Sequence, residues 1–265
     1  MGVYTPNTST LLYGGPGVGK TALAVSSFWD WKNKKQIANG KLITFGNEDN
    51  PALEIPEHFR ETDKGTSLRL TSSLLDSDDF VSQFEILTRK FIYDAERGEP
   101  LDVLVVDGLT EFDLMYEETY AGGDRDNYAK WNGLLSQMFS MMMRLSTKVL
   151  KCHIIMTARV TEKKKPTQLA NSLKTVGGDP GYVDYDYYPS LRGSFRLHLP
   201  HYFGLVLFLE TLTQIGEEGP LPVHVVNMFK EGDYYVKNHW EHVWLEAKYP
   251  AKVSNAMWPT LWSRI

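Results

Sequence analysis

The run Gly14-Gly15-Pro16-Gly17-Val18-Gly19-Lys20-Thr21 constrains this chain more than any other feature. It fits G-x-x-x-x-G-K-[ST], with apolar Leu11-Leu12-Tyr13 before it and Ala22-Leu23-Ala24-Val25 after it. Strand, glycine loop and helix in that order are the context that makes the pattern a phosphate-binding loop. Glycine permits positive φ and close approach of the backbone to a ligand. The loop N–H groups, from Gly14 through Ala22, then form a nest for an anion. In such a loop the lysine, here Lys20, reaches the β- and γ-phosphates, and the Thr21 hydroxyl sits on Mg²⁺.

A second element fits the first. Leu101-Asp102-Val103-Leu104-Val105-Val106-Asp107 is a largely apolar strand ending in a carboxylate. Asp107 is expected to hold Mg²⁺ opposite Thr21. Gly108 follows it, so the base that orients water must come from elsewhere. Glu48 and Glu111 are the candidates. Glu48 is preferred, because a carboxylate at the tip of a neighbouring parallel strand faces the same crevice as the γ-phosphate. At the end of His153–Ala158, Thr157 or Arg159 is a candidate γ-phosphate sensor. The guanine-reading pattern N-K-x-D does not occur, which favours ATP.

Strands and helices alternate along the chain. Lys41–Gly46, the region of Thr66–Leu70, Leu101–Gly108 and Cys152–Ala158 read as strands. Phe80, Phe84, Leu87 and Phe91 recur at helical spacing between Asp78 and Arg97, and Tyr128 through Leu145 mark a long helix. Phe203–Glu210 and Pro222–Phe229 read as strands joined through a turn at Gly216–Pro220, and Tyr234–Lys237 as a last short strand. The expected fold is one α/β domain over residues 1–265. It has a mainly parallel sheet covered on both faces, antiparallel strands on the C-terminal side, and a Trp-rich tail over 240–265.

Charge and composition narrow the classes. A net charge of −5 offers no global attraction to nucleic acid, so any such contact needs a local patch. The lone cysteine, Cys152, excludes an internal disulfide and lies in an apolar run, which reads as core. The N-terminal stretch lacks the basic and apolar regions of a signal peptide, Pro6 breaks the myristoylation pattern, and no apolar run is long enough to span a bilayer. His198/His201 and His239/His242 are doublets without a third ligand, so no metal besides Mg²⁺ is expected.

From Val160 to about Leu197 the sequence reads as a long loop carrying Lys163, Lys164, Lys165, Lys174, Arg192 and Arg196. Tyr182, Tyr185, Tyr187 and Tyr188 are interleaved with them. Cations that track a phosphate backbone and rings that stack on bases suit single-stranded DNA. Asp179, Asp184 and Asp186 dilute that field.

In Gly14–Thr21, Val105–Phe112 and Tyr188–Glu210 the chain resembles RecA-like P-loop ATPases. More narrowly, over about residues 10–240, it is similar to bacteriophage ATP-binding proteins of the Sak type of single-strand annealing proteins. The resemblance implies a catalytic glutamate at Glu48 and ATP held between the subunits of a homo-oligomer. It also implies single-stranded DNA as partner in annealing, recombination or replication, a single-strand-binding protein as a further partner, and the cytoplasm of a bacterial host. Lys237 stands where such proteins send a cation into the neighbour's site, but His239 replaces the arginine expected beside it. The competing classes are a P-loop motor or loader and a nucleotide-binding scaffold with little hydrolysis. A small-molecule kinase would need an arginine-bearing lid, and the stretch after the phosphate loop is poor in arginine.

Overall fold

The computed structural model describes residues 8–30, 32–33, 35–45, 67–70, 79–114, 147–166, 183–191, 199–216, 219–229, 235–238, 245–246, 248 and 250–258. In chain order they form β1 (Ser9–Gly14), α1 (Lys20–Val25), β2 (Trp29–Asp30), β3 (Lys35–Gln36), β4 (Gly40–Phe45), β5 (Ser67–Leu70) and α2 (Asp79–Glu96). There follow β6 (Val103–Asp107), α3 (Thr147–Leu150), β7 (His153–Pro166), β8 (Val183–Pro189) and a 3₁₀ turn at Leu199–Tyr202. The last elements are β9 (Leu205–Gly216), β10 (Gly219–Asn227), β11 (Lys237–Asn238) and β12 (Lys252–Ser254). Residues 109–114 are also helical.

The main sheet runs β12-β10-β9-β1-β7-β6-β4-β5. From β9 to β5 every neighbouring pair is parallel. On the other side β10 pairs antiparallel with β9 and β12 with β10. This is the α/β phosphate-loop architecture expected from the sequence, a mainly parallel sheet with antiparallel strands on its C-terminal side.

Strand periodicity explains why both faces are dry. Leu11, Tyr13, Leu104, Val106, Ile154, Met156, Val206 and Phe208 point into one core cluster. Their chain neighbours Leu12, Val103, Val105, Ile155, Leu205 and Leu207 point into the other. Successive side chains of a strand face opposite ways, so a strand buried on both sides must be apolar at every step. Leu23, Ala24 and Val25 of α1 cover the second face; Phe91 of α2 and Leu109 and Phe112 of the helical stretch cover the first. α2 closes as the sequence suggests: Gly98 N–H donates to Ala95 O (3.2 Å) and Glu99 N–H to Asp94 O (2.9 Å), which satisfies the last carbonyls. In the tail, Trp258 is buried and its N–H donates to Ser26 Oγ at 2.7 Å, anchoring the segment to the end of α1.

Two features depart from the sequence reading. β7 does not end at Ala158. It continues to Pro166 and pairs antiparallel with β8, from Val160↔Pro189 to Pro166↔Val183. Part of the expected loop is therefore a two-stranded ribbon. β9 and β10 likewise run past the sheet: β9 leaves β1 after Leu209, while its pairing with β10 continues to Gly216↔Gly219.

At the foot of β7 lie Cys152 and His153, both buried. Burial pushes the Cys152 thiol up to about 12, so it is an inert core residue. Burial also pushes His153 down to about 3. Its ring packs edge-on against Trp258, with centroids 5.1 Å apart. The folded pKa is depressed, so the unfolded chain binds the extra proton between about pH 6.5 and 3, and stability falls as pH falls through that window. At pH 5 the expected loss from this residue is about 2 kcal/mol. Urea unfolding at pH 7.5 and 5.0 should show that loss in the wild type and not in His153→Gln. Equal losses in both would refute the assignment.

Candidate functional site

The site is built where β1 and β6 end, beside Thr157 in β7. β1 terminates at Gly14, beside the Leu209 carbonyl of β9; a Cβ there would lie 2.2 Å from that oxygen, so only glycine lets the two strands stay in register. The chain then turns through Gly17 and Gly19, at φ 71° and 86°, and enters α1. Val18 is buried under the turn, while Pro16 and Gly17 face solvent. Lys20 Nζ donates to the carbonyls of Gly14 (3.1 Å) and Gly15 (2.6 Å), which lays the ammonium across the mouth of the loop.

β6 is one strand removed from β1, with β7 between them. Asp107 nevertheless meets the loop. Thr21 Oγ1 lies 2.9 Å from Asp107 Oδ1 and 2.8 Å from Oδ2, within reach of a hydrogen bond from its hydroxyl to the carboxylate. From the intervening strand, Thr157 Oγ1 donates to Asp107 Oδ1 at 2.5 Å and accepts from Gly108 N–H at 3.0 Å. Thr157 is buried. Its hydroxyl proton is committed to Asp107, so its place is that of a residue positioning the carboxylate. The sequence expected it to read the γ-phosphate.

Glu111 and Arg159, both considered from the sequence, lie together. Arg159 Nε lies 2.5 Å from Glu111 Oε1 in an ion pair, with Glu111 the more buried partner. The ion pair engages both the carboxylate considered as base and the guanidinium considered for the phosphate. The pair belongs to a larger tie. Arg159 N–H donates to Thr110 Oγ1 (2.9 Å), Thr110 Oγ1 donates to Ser190 O (2.8 Å), and Ser190 N–H donates to Arg159 O (2.6 Å). The turn after Asp107 is thereby bound to the base of the β7–β8 ribbon.

Lys237 is drawn into its own subunit. β11 pairs with the start of β9, Lys237 opposite Val206, at the level of Leu11 in β1 and below the loop. Its Nζ donates to the carbonyls of Pro200 (3.3 Å) and His201 (3.4 Å), and burial lowers its pKa. Its ammonium is thus held by backbone carbonyls of its own chain. Tyr187 and Tyr188 also pack inward: Tyr187 stacks on Phe208 (5.8 Å), Tyr188 on Tyr235 (6.2 Å), and Tyr13 Oη lies 2.7 Å from Tyr235 O and 3.0 Å from Tyr187 O, in reach of either carbonyl. Glu48, Lys174, Arg192, Arg196 and Tyr182 lie outside the described residues. Lys163, Lys164 and Lys165 are described as strand positions only, opposite Asp186, Tyr185 and Asp184.

A family model for an AAA domain matches residues 6–243. The chain belongs to the AAA domain family. Membership in this P-loop family supports nucleotide binding and ATPase activity in general, and it gives the joined Thr21–Asp107 pair its meaning. No curated protein matches the chain. No helix among the described residues is long and apolar enough to cross a membrane.

The AAA domain's donors also fit Mg²⁺. Thr21 and Asp107 place hard oxygens side by side, the donor type this ion takes. Among the described residues no group of three or more His, Cys, Asp or Glu is gathered. Mg²⁺ keeps several waters and binds through one or two protein oxygens plus phosphate, a demand that one threonine hydroxyl and one carboxylate can meet.

Proposed function

We propose that the chain hydrolyses ATP and acts on single-stranded DNA, in annealing, recombination or replication of the phage type. The observation that supports the ATP half is the meeting of Thr21 and Asp107 across an intervening strand, within a family of P-loop ATPases. In this reading the loop N–H groups and Lys20 hold the phosphates, and Thr21 and Asp107 hold Mg²⁺, with Thr157 fixing the carboxylate. When bound, Mg²⁺ supplies neutralisation of phosphoryl charge. Lys20 stabilises the charge that grows on the transferring group, in a site whose donors are already in place. Glu48 orients the attacking water, since Glu111 is held by Arg159. Glu48→Gln is accordingly expected to bind nucleotide and lose hydrolysis, and Glu111→Gln to hydrolyse at a rate near the wild type. The reverse pattern in steady-state assays would overturn the assignment.

Support for the DNA half is structural coupling rather than charge. The β7–β8 ribbon begins beside Gly14 and is tied through Thr110 to the turn after Asp107. A change at Asp107 thus has a bonded route to the ribbon. The register sets Lys163 and Lys165 opposite aspartates, which weakens the local positive field. Phosphate tracking in this proposal therefore leans on Lys164, Lys174, Arg192 and Arg196. Homo-oligomerisation with ATP between subunits, and a single-strand-binding protein as partner, belong to the same proposal.

The test is ATP hydrolysis with and without single-stranded DNA, at low and moderate salt. Stimulation that fades with salt is expected, because each lysine–phosphate contact releases a counterion. Hydrolysis indifferent to DNA would remove the coupling and favour a motor or loader. No hydrolysis in either condition would leave a nucleotide-binding scaffold.

A further inference from the structure

The phosphate loop has two sides. β1 lies between β7 and β9. On the β7 side Thr21, Asp107 and Thr157 converge, where Mg²⁺ and the terminal phosphate belong in the proposed reading. On the β9 side stands the β9–β10 ribbon, and one of its side chains comes near the loop. A Cβ added at Gly19 would lie 3.8 Å from His224 Cγ and 3.9 Å from Cδ2, ordinary contact distances. The imidazole therefore stands beside the loop where a side chain at Gly19 would meet it.

His224 is held on several sides yet open on another. It pairs with Thr211 across the ribbon, and Thr211 Oγ1 shares a hydrogen bond with Nδ1 at 3.2 Å. Its own carbonyl accepts from Asn255 N–H at 2.7 Å, fixing the backbone from β12. The residue is nonetheless exposed. No contact just described explains an aromatic ring at this place. With its terminal phosphate at Thr21 and Asp107, a nucleotide has its other end away from that pair, and the β9–β10 ribbon stands on the opposite side of β1.

We propose that His224 contacts the nucleoside end of the nucleotide held by the phosphate loop, with Thr211 as its positioning residue. The proposal rests on the nucleotide reading given above. The ring offers a π face for a purine, and its Nε2 edge can bond to the ribose or base.

Equilibrium binding of ADP and of inorganic tripolyphosphate separates the possibilities. Tripolyphosphate fills the loop but has no nucleoside. His224→Ala is expected to weaken ADP binding about tenfold, the lower part of the range for losing an aromatic–base contact. Tripolyphosphate affinity should stay within about twofold, since uniform loss would mark a phosphate contact. His224→Phe, which keeps a ring, should recover most of the ADP affinity, and it serves as the probe if the alanine variant folds poorly. Unchanged ADP binding in His224→Ala overturns the proposal. So does an equal loss for both ligands, which would make the ring a support for the loop. A wild type that binds neither ligand would bring down the nucleotide reading itself, and the proposal with it.

Discussion

Lys20→Ala is expected to reduce ATP turnover by about 10²- to 10³-fold, the cost of deleting one pre-placed charge donor from a site that stabilises a transition state. The ammonium lies over the start of the loop through Gly14 O and Gly15 O, which places its charge at the loop mouth. Alanine removes it without touching either core cluster, because Lys20 belongs to neither. The thermal midpoint should therefore stay close to wild type while hydrolysis collapses. Lys20→Arg should not rescue: the planar guanidinium is larger than the ammonium and forked in geometry, and the loop mouth is framed by two carbonyls. Steady-state hydrolysis and a thermal melt on the same preparation decide the matter. Turnover within about threefold of wild type would mean that Lys20 contributes no transition-state stabilisation.

Gly14→Ala should act on folding rather than chemistry. The new methyl would sit 2.2 Å from Leu209 O and 3.1 Å from both Leu209 C and Val18 Cγ2. The first obstacle is backbone, and it cannot rotate away. Relief requires β1 and β9 to separate at Gly14↔Leu209, the last pair before the loop. A destabilisation of about 3 kcal/mol or more is expected, the upper part of the range for overpacking. Gly15→Ala is the internal control, since its Cβ would meet only Val18 Cγ1, at 3.7 Å. Denaturant midpoints for the two variants should differ widely. Similar midpoints would show that the β9 backbone yields at Leu209.

The contrast between what the sequence disclosed and what it withheld follows chain distance. Gly14 to Thr21 is a local motif, and its flanks announce strand and helix. The apolar strands are legible because burial on both faces demands apolar residues at consecutive positions, as in Leu104-Val105-Val106. The β7–β8 ribbon was not legible. Thr161 to Pro166 carries the polar composition of a loop, and its pairing partner follows only at Val183. Glu111 illustrates a second limit. From sequence it is a carboxylate four positions past Asp107, and nothing nearby names Arg159 as its partner. Lys237 misleads for a related reason: its ammonium answers to carbonyls of a 3₁₀ turn far back in the chain. His224 left no local trace either, since its relation to Gly19 exists only because β9 bridges β10 to β1.

The position of β1 has a bearing on how the molecule is made. Its two partners are β7 and β9, so Leu11 is registered against Met156 on one side and Val206 on the other. Both arrive from the ribosome long after the first strand has emerged. Loop closure must be met before such distant pairings stabilise anything, which makes this a slow topology to assemble. During translation the first residues of the domain therefore wait, and their apolar run Leu11-Leu12-Tyr13 has no sheet to enter until most of the domain exists. The phosphate loop at the end of β1 therefore gains its flanking strands only once β7 and β9 have been made.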